Sequence, residues 1–403
     1  INQCSEGGID HGNYVTKGMA EVLAAYNCAL IADMFGDAPC SQAALIDENG
    51  SPVYLTPKMD KQEEIYTQAM QYLDDAIADL QKEDLIDPEA QDLLYQGDAE
   101  KWLKLAYGLK ARYTMHLLKR SANKDADMEK VLEYVNNSFE SAEEQAAFDV
   151  YDANNINPLY GFFVARAGLG ASESMRSKLA EYNDPRLSRA FITKQGTSGK
   201  EQAPGTADNA VYAPNGTPEQ GTSKYGTSLF MYSISAPTLL LSYHELKFLE
   251  AEALCRLERD AKSALKDAVV AGLLNAENSF TISRKELGKT LINAASSITE
   301  AEAESYFDNT IEAKYTAEPL KTTMTQKYFA LWGASGEATE SYNDVRRMKG
   351  LGENFIELKN PNSFPLRCPY GNSDTTTNAE VKAAYGNGQY VYSENVWWAG
   401  GSR

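Results

Sequence analysis

The stretch QEEIYTQAMQYLDDAIADL, running from Gln62 to Leu80, decides how this chain folds. Its apolar residues Ile65, Ala69, Tyr72, Leu73, Ala76 and Leu80 recur at three- and four-residue intervals. That spacing places them on one face of an α-helix and leaves the carboxylates and amides on the other. Upstream, Met19, Val22, Leu23, Tyr26 and Leu30 repeat the pattern. Downstream it returns in Trp102, Leu105, Leu109, Tyr113 and Leu117, with Asp98 placed to cap the helix start after Gly97. Further stripes follow at Leu239, Tyr243, Leu246, Leu249, Ala253 and Leu257, then at Ala303, Phe307, Ile311 and Tyr315. Thr299 and Glu302 stand before the last of these at the spacing of a capping box, and Met324, Tyr328 and Leu331 predict one more helix. The expected fold is therefore mainly α, built of helix pairs, with no strict 34-residue repeat visible on periodicity alone.

Two tracts interrupt the helical rhythm, residues 148–170 and 195–237. The first is rich in Asn, Tyr and Phe; the second is dense in Gly, Thr, Ser and Pro, with only short strand-like pieces such as Ser228 to Ile234. Loops of this length in a packed domain are functional or disordered. Their aromatic content, including Tyr151, Tyr160, Phe162, Phe163, Tyr212, Tyr225, Phe230 and Tyr232, speaks for order.

Composition excludes several classes. With 57 acidic against 38 basic residues the net charge is −19, which repels a phosphate backbone rather than releasing its counterions. The longest uninterrupted apolar run, Ala268 to Leu274, is far shorter than the roughly 20 residues of a membrane span. Five scattered cysteines, Cys4, Cys28, Cys40, Cys255 and Cys368, contain no CxxC and read as neither a disulfide scaffold nor a zinc site. Only His11, His116 and His244 could serve as imidazole bases, and the latter two fall within helices, where a helix-surface or satisfied packing role is expected ahead of catalysis. There is no HExxH or GxSxG; the Gly288-Lys289-Thr290 sequence lacks its leading glycine, having Ser283, and the pattern begun by Gly168 and Gly170 fails at Glu173. No catalytic residue, metal or cofactor is expected. Carboxylate pairs such as Asp74–Asp75 are uninformative in so acidic a chain, so a polysaccharide hydrolase stays open as an alternative.

A series of local motifs, in order along nearly the whole chain, resembles the SusD/RagB family, in particular its SusD-like branch related to starch-binding outer-membrane proteins. The series starts with Asp33-Met34-Phe35-Gly36-Asp37-Ala38-Pro39, then Gln62 to Tyr66 leading into Leu73 to Ile77. Trp102-Leu103-Lys104 with Leu109-Lys110-Ala111-Arg112 follows, then Asn157-Pro158-Leu159-Tyr160 and Asn183-Asp184-Pro185-Arg186-Leu187. Leu241-Ser242-Tyr243-His244-Glu245 runs to Ala251-Glu252-Ala253, and Gln326-Lys327-Tyr328, Asp344-Val345-Arg346-Arg347, Arg367 with Pro369-Tyr370, and Val396-Trp397-Trp398 complete it. Two departures stand out: Gly108 where Ser is usual, and Cys368 between Arg367 and Pro369. Cys4 lacks a convincing lipobox and only about 35 residues precede the Gly-Asp-Ala-Pro turn, so the chain is read as lacking the family's N-terminal segment.

The resemblance implies a single SusD-like helical domain over 1–403, a platform of tetratricopeptide-like helix pairs with 148–170 and 195–237 as inserted loops. It implies a lipid-anchored receptor on the cell-surface side of the outer membrane. Such a receptor sits as a lid on a SusC-like TonB-dependent transporter barrel and presents oligosaccharides, or in some members peptides, for import. In this reading Gly36 and Pro39 form a turn, and Asp184, Arg186, Asp344, Arg346 and Arg347 are scaffold ion pairs. Ligand contact is argued physically: sugar faces stack on aromatic rings, and hydroxyls seek amide and guanidinium partners. Tyr151, Asn154, Asn155, Tyr160, Phe162, Phe163 and Arg166 supply that mixture in one tract, with Tyr225 and Phe230 as second choices. The competing role for Phe162 and Phe163 is to anchor the tract onto helices.

Overall fold

The computed structural model describes residues 1–166, 168–195, 201–206, 208–217, 224–333 and 336–402. The described residues fall into two compact units. One comprises Ile1–Phe139, Asn343–Asn354 and Ser363–Arg403, the other Glu140–Tyr342 and Phe355–Asn362.

The first unit begins with α1 (Tyr14–Phe35), α2 (Gln62–Asp79), α3 (Ala99–His116) and α4 (Lys124–Asn136). Consecutive helices pair, α1 with α2 and α3 with α4. The face of α1 toward α2 carries Gly18, Ala25, Ala29 and Ala32, and a Cβ at Gly18 would meet Leu80 Cγ at 2.6 Å. Small residues are what let two helix backbones approach this closely. By length and composition α1 would pass for a membrane span, with a mean hydropathy of 1.2, a feature the sequence reading missed by counting uninterrupted runs. Its buried Glu21 and Asp33 and its packing against α2 mark it as a core helix. Asp98 caps α3 as expected, accepting from Glu100 N and Lys101 N.

The second unit holds β1 (Ala146–Phe148), α5 (Pro158–Arg166), α6 (Glu173–Glu181), β2 (Phe191–Gln195), β3 (Glu201–Pro204), β4 (Thr227–Ser228) and β5 (Thr238–Leu241). After these come α7 (Tyr243–Arg256), α8 (Lys262–Leu287), α9 (Glu300–Tyr306), α10 (Glu312–Ala317) and α11 (Pro319–Ala330). β1 pairs antiparallel with β5, and β2 lies between β3 and β4. The core gathers Phe248 of α7, Leu265, Leu273 and Phe280 of α8, and Phe329 of α11. At Gly272 an added Cβ would lie 2.9 Å from Ala330 Cβ, so glycine sets the α8–α11 approach. Thr299 caps α9 through Glu302 N at 3.2 Å.

Several expectations are corrected here. The stripe from Leu239 to Leu257 is two elements: Leu239 and Leu241 belong to β5, and the helix starts only after Ser242, whose Oγ accepts from Glu245 N at 3.1 Å. Within Ser228 to Ile234, only Ser228 is strand, and Leu229–Tyr232 is a 3-10 turn. The Ala303 to Tyr315 stripe is broken by a π-helical turn, Phe307–Ile311. The 148–170 tract contains α5, while residue 167 of that tract, and 196–200, 207 and 218–223 of the other, lie outside the described residues. Helices α4, α5, α6 and α8 fall in none of the apolar stripes.

The chain then runs through α12 (Ala338–Leu351), α13 (Asn372–Thr377) and α14 (Ala379–Tyr385). In the first unit these segments close the motif residues around the end of α1. Arg367 Nη2 donates to Phe35 O, one of the carbonyls a helix end leaves unpaired, and Tyr370 OH donates to Asp37 O at 2.7 Å. Asp37 in turn accepts from Gln62 N at 2.9 Å, Lys61 Nζ at 2.8 Å and Tyr385 OH at 2.6 Å, placing a carboxylate at the N-terminus of α2. Asp33 accepts from Tyr66 OH, Trp398 Nε1 (2.9 Å) and Asn343 Nδ2 (3.3 Å).

Candidate functional site

The 148–170 tract, in the second unit, is ordered by its own polar groups. Asp152 Oδ1 accepts from Asn154 N and Asn155 N, both at 2.7 Å, forming an Asx turn that holds the two asparagines outward. Those same backbone donors hold the Asp152 carboxyl below its ordinary range. Asn157 is buried and fastens the start of α5: Oδ1 accepts from Leu159 N and Nδ2 donates to Ala236 O, each at 2.8 Å.

Helix phase then sorts the aromatics. Phe163 is buried, edge-on to Tyr232 at 5.2 Å, whereas its neighbour Phe162 is 52% exposed. Arg166, one turn beyond Phe162 on the same helix face, is exposed too. Tyr160 is half-buried, with its hydroxyl donating to Glu286 Oε1 at 3.0 Å; burial first and then that carboxylate push its pKa up. Tyr151 is half-buried, its hydroxyl 2.7 Å from Thr238 Oγ1 and its ring edge-on to Phe148. Ile156, also exposed, lies over Gly161, where an added Cβ would meet Ile156 Cδ1 at 3.3 Å. The tract thus exposes one open aromatic ring with a guanidinium a turn away on α5, and two amides borne on the preceding Asx turn.

The other expected contacts sit elsewhere. Phe230 is 2% exposed, packed between Phe280 at 4.7 Å and Trp332 at 5.1 Å, and Tyr225 is buried with the Lys224 ammonium over its ring. Their faces, like that of Phe163, are covered by protein in this conformation, so these three serve as packing residues here.

The same unit contains a cavity of about 440 Å³ that sequence reasoning did not find, bordered by Tyr243, His244, Lys266, Asn275, Asn278 and Glu304. The Asn275/Asn278 pair, three apart on α8, was the available signal. His244 is buried within α7 rather than on a helix surface, with Nε2 3.8 Å from Glu337 Oε2, beyond hydrogen-bond reach. Burial drives its pKa down to about 4, outweighing Glu245, with Arg186 and Lys327 adding to the fall. The imidazole is therefore neutral at physiological pH.

The scaffold is mainly helical, with paired helices and an inserted tract whose aromatics Tyr160, Phe162 and Phe163 lie on α5. Residues 2–370 match the SusD-like family, described as starch-binding and associating with the outer membrane, and this chain belongs to that family. A SusD/RagB family protein from Bacteroides thetaiotaomicron VPI-5482 is 67% identical over 100% of this chain and 84% of its own, with a TM-score of 0.94. A SusD homologue from Bacteroides fragilis NCTC 9343 shares the fold at 19% identity, TM-score 0.72, over 97% of this chain and 85% of that one. So does a protein described as chitin-binding, at 21% identity and TM-score 0.69, over 97% and 82% respectively. No curated protein matches the chain.

Proposed function

We propose that this chain is a non-catalytic receptor that captures oligosaccharides at the outer membrane and passes them to a SusC-like TonB-dependent transporter barrel. A lipid anchor would hold it on the cell-surface side. Membership of a starch-binding, outer-membrane-associated family supports the class. The observation that carries the ligand reading is the exposed Phe162 with the exposed Arg166 a turn away on α5, in the same tract as the exposed Asn154 and Asn155. An open ring suits the apolar face of a sugar, and the flanking amides and guanidinium suit its hydroxyls. Tyr151 and Tyr160 border this surface with their hydroxyls already engaged, so they would contribute ring edges more than hydrogen bonds.

Titration calorimetry with starch-derived and chitin-derived oligosaccharides and with peptides tests the proposal. Loss of one stacking ring costs about 1 kcal/mol, so Phe162→Ala should bind the preferred glycan about five- to tenfold more weakly, with its melting temperature unchanged. Unchanged affinity in Phe162→Ala, Arg166→Ala and Asn154→Ala would remove this surface from the site. Binding of peptides alone would move the chain to a peptide receptor. Turnover of any of these ligands, lost on changing a single carboxylate, would overturn the non-catalytic reading.

A further inference from the structure

Two of the five cysteines meet at a position no motif announces. Cys28 lies on α1, two turns before the helix ends at Phe35. Gly36 then takes φ +79 and ψ −120, a conformation side chains oppose, and the chain doubles back along the helix it has just left. Seven helical residues descend about 10 Å, and the four extended residues to Cys40 recover about the same distance. The result is a Cys28 Sγ to Cys40 Sγ separation of 2.9 Å, within roughly 0.9 Å of the covalent length near 2.05 Å.

The backbone at Cys40 is held in place without help from the sulfurs. Ala38 and Asp60 form an isolated antiparallel bridge. The Asp60 carboxylate accepts from Cys40 N at 3.0 Å, Ser41 N at 2.7 Å and Ser41 Oγ at 2.8 Å. Both thiols are half-buried, so an oxidant can reach them; Cys255 and Cys368 are half-buried too, but Cys255 Sγ lies 3.6 Å from Thr323 Oγ1 rather than against a second sulfur, and Cys4 is buried. The hydrogen bond from Cys40 lowers the Cys28 pKa, and the same bond together with burial raises that of Cys40. Cys28 is therefore the better thiolate of the two.

The geometry points to a Cys28–Cys40 disulfide that ties the root of the 41–60 excursion to α1. The oxidant would be a small or protein disulfide, of the kind available outside the reducing cytosol. The Cys28 thiolate attacks one sulfur of that disulfide and expels the other as a thiolate, leaving a mixed disulfide. Cys40, giving up its proton to solvent, attacks the Cys28 sulfur and expels the second thiolate. Two protein thiols lose two electrons, and the oxidant disulfide is reduced to two thiols. This inference stands apart from the ligand reading, and neither depends on the other.

The test uses the folded chain exposed to oxidised glutathione, alkylated under denaturing conditions, and mapped by mass spectrometry without reductant. The expected result is a Cys28–Cys40 linked peptide pair that separates on reduction, with Cys4, Cys255 and Cys368 alkylated. Cys40→Ser should retain one glutathione on Cys28, because the resolving thiol is gone. Alkylation of both Cys28 and Cys40 in the exposed wild type, or glutathione persisting on Cys28 there, overturns the proposal. Absence of the adduct in Cys40→Ser overturns the assignment of Cys28 as the attacking thiol.

Discussion

Replacing Asp184 by Ala should destabilise the second unit far more than any surface substitution. Asp184 and Arg186 are each 2% exposed, with Arg186 Nη2 donating to Asp184 Oδ2 at 2.7 Å and Nε to Oδ1 at 2.9 Å. Tyr306 OH adds a contact to Oδ2 at 3.3 Å, and Arg186 Nη1 reaches Phe329 O at 2.7 Å. Burial opposes the guanidinium charge, but Asp184 more than compensates and raises its pKa. Asp184 Oδ1 also caps the 3-10 helix Pro185–Ser188 through Arg186 N at 2.9 Å. Removing one partner of a buried pair costs about 3–5 kcal/mol because it strands the other charge, and a lost cap is worth about 1. Taking about 4 kcal/mol and roughly 3 °C per kcal/mol for a unit of roughly 200 residues, the melting temperature should fall by about 12 °C. Thermal unfolding followed by circular dichroism at pH 7 measures this. Asp184→Ala/Arg186→Met, which removes both charges and keeps the bulk, should recover at least half of the loss and leave the cap deficit. A single variant melting within about 3 °C of the wild type would refute the reasoning. A double variant as unstable as the single one would show that the cap, rather than the stranded charge, carries the effect.

His244 should make stability fall in acid. Its folded pKa of about 4 lies below an unfolded value near 6.5, so the unfolded chain binds the extra proton first. The stabilisation is full above pH 6.5 and is lost as the pH drops toward 4, by about 3 kcal/mol, and His244→Gln should flatten the curve in that window. Parallel curves for wild type and variant would sink this. Gly36→Ala should cost about 1–3 kcal/mol, read as a lower denaturant midpoint, because φ +79 with ψ −120 is closed to a side chain; an unchanged midpoint would show that the turn relaxes freely.

Much of the scaffold was legible in the sequence because it is written in short-range chemistry. The faces of α2 and α3, the Asp98 and Thr299 caps, and the turn at Gly36 each depend on residues within one or two helical turns. The ordered motifs from Asp33 to Trp398 identified the family for the same reason: each is a local signature, and their sequence along the chain is itself information. Helix α8 escaped notice because the half-buried Val270, Ala271 and Leu274 sit among the buried Leu265, Val269, Leu273 and Phe280, so the run from Ala268 to Leu274 is apolar on every side and its periodicity is blurred. The β5–α7 boundary was misplaced because Leu239 and Leu241 alternate in a strand while fitting a helical stripe.

What tertiary structure alone decided is which surfaces are covered and which distant atoms meet. Phe162 and Phe163 are identical in chemistry and adjacent in sequence, yet the phase of α5 against Tyr232 buries one ring and opens the other. Phe230 looked like a loop aromatic until Phe280 and Trp332 closed around it. Asp37 gained its role at the N-terminus of α2 only when the chain returned 25 residues later to place Gln62 N beside it. Cys28 and Cys40 carry no spacing signature, and the turn between them, braced by Asp60 from further along the chain, is what brings their sulfurs together. Periodicity and capping are properties of neighbours in sequence, whereas burial and juxtaposition exist only once the chain has folded.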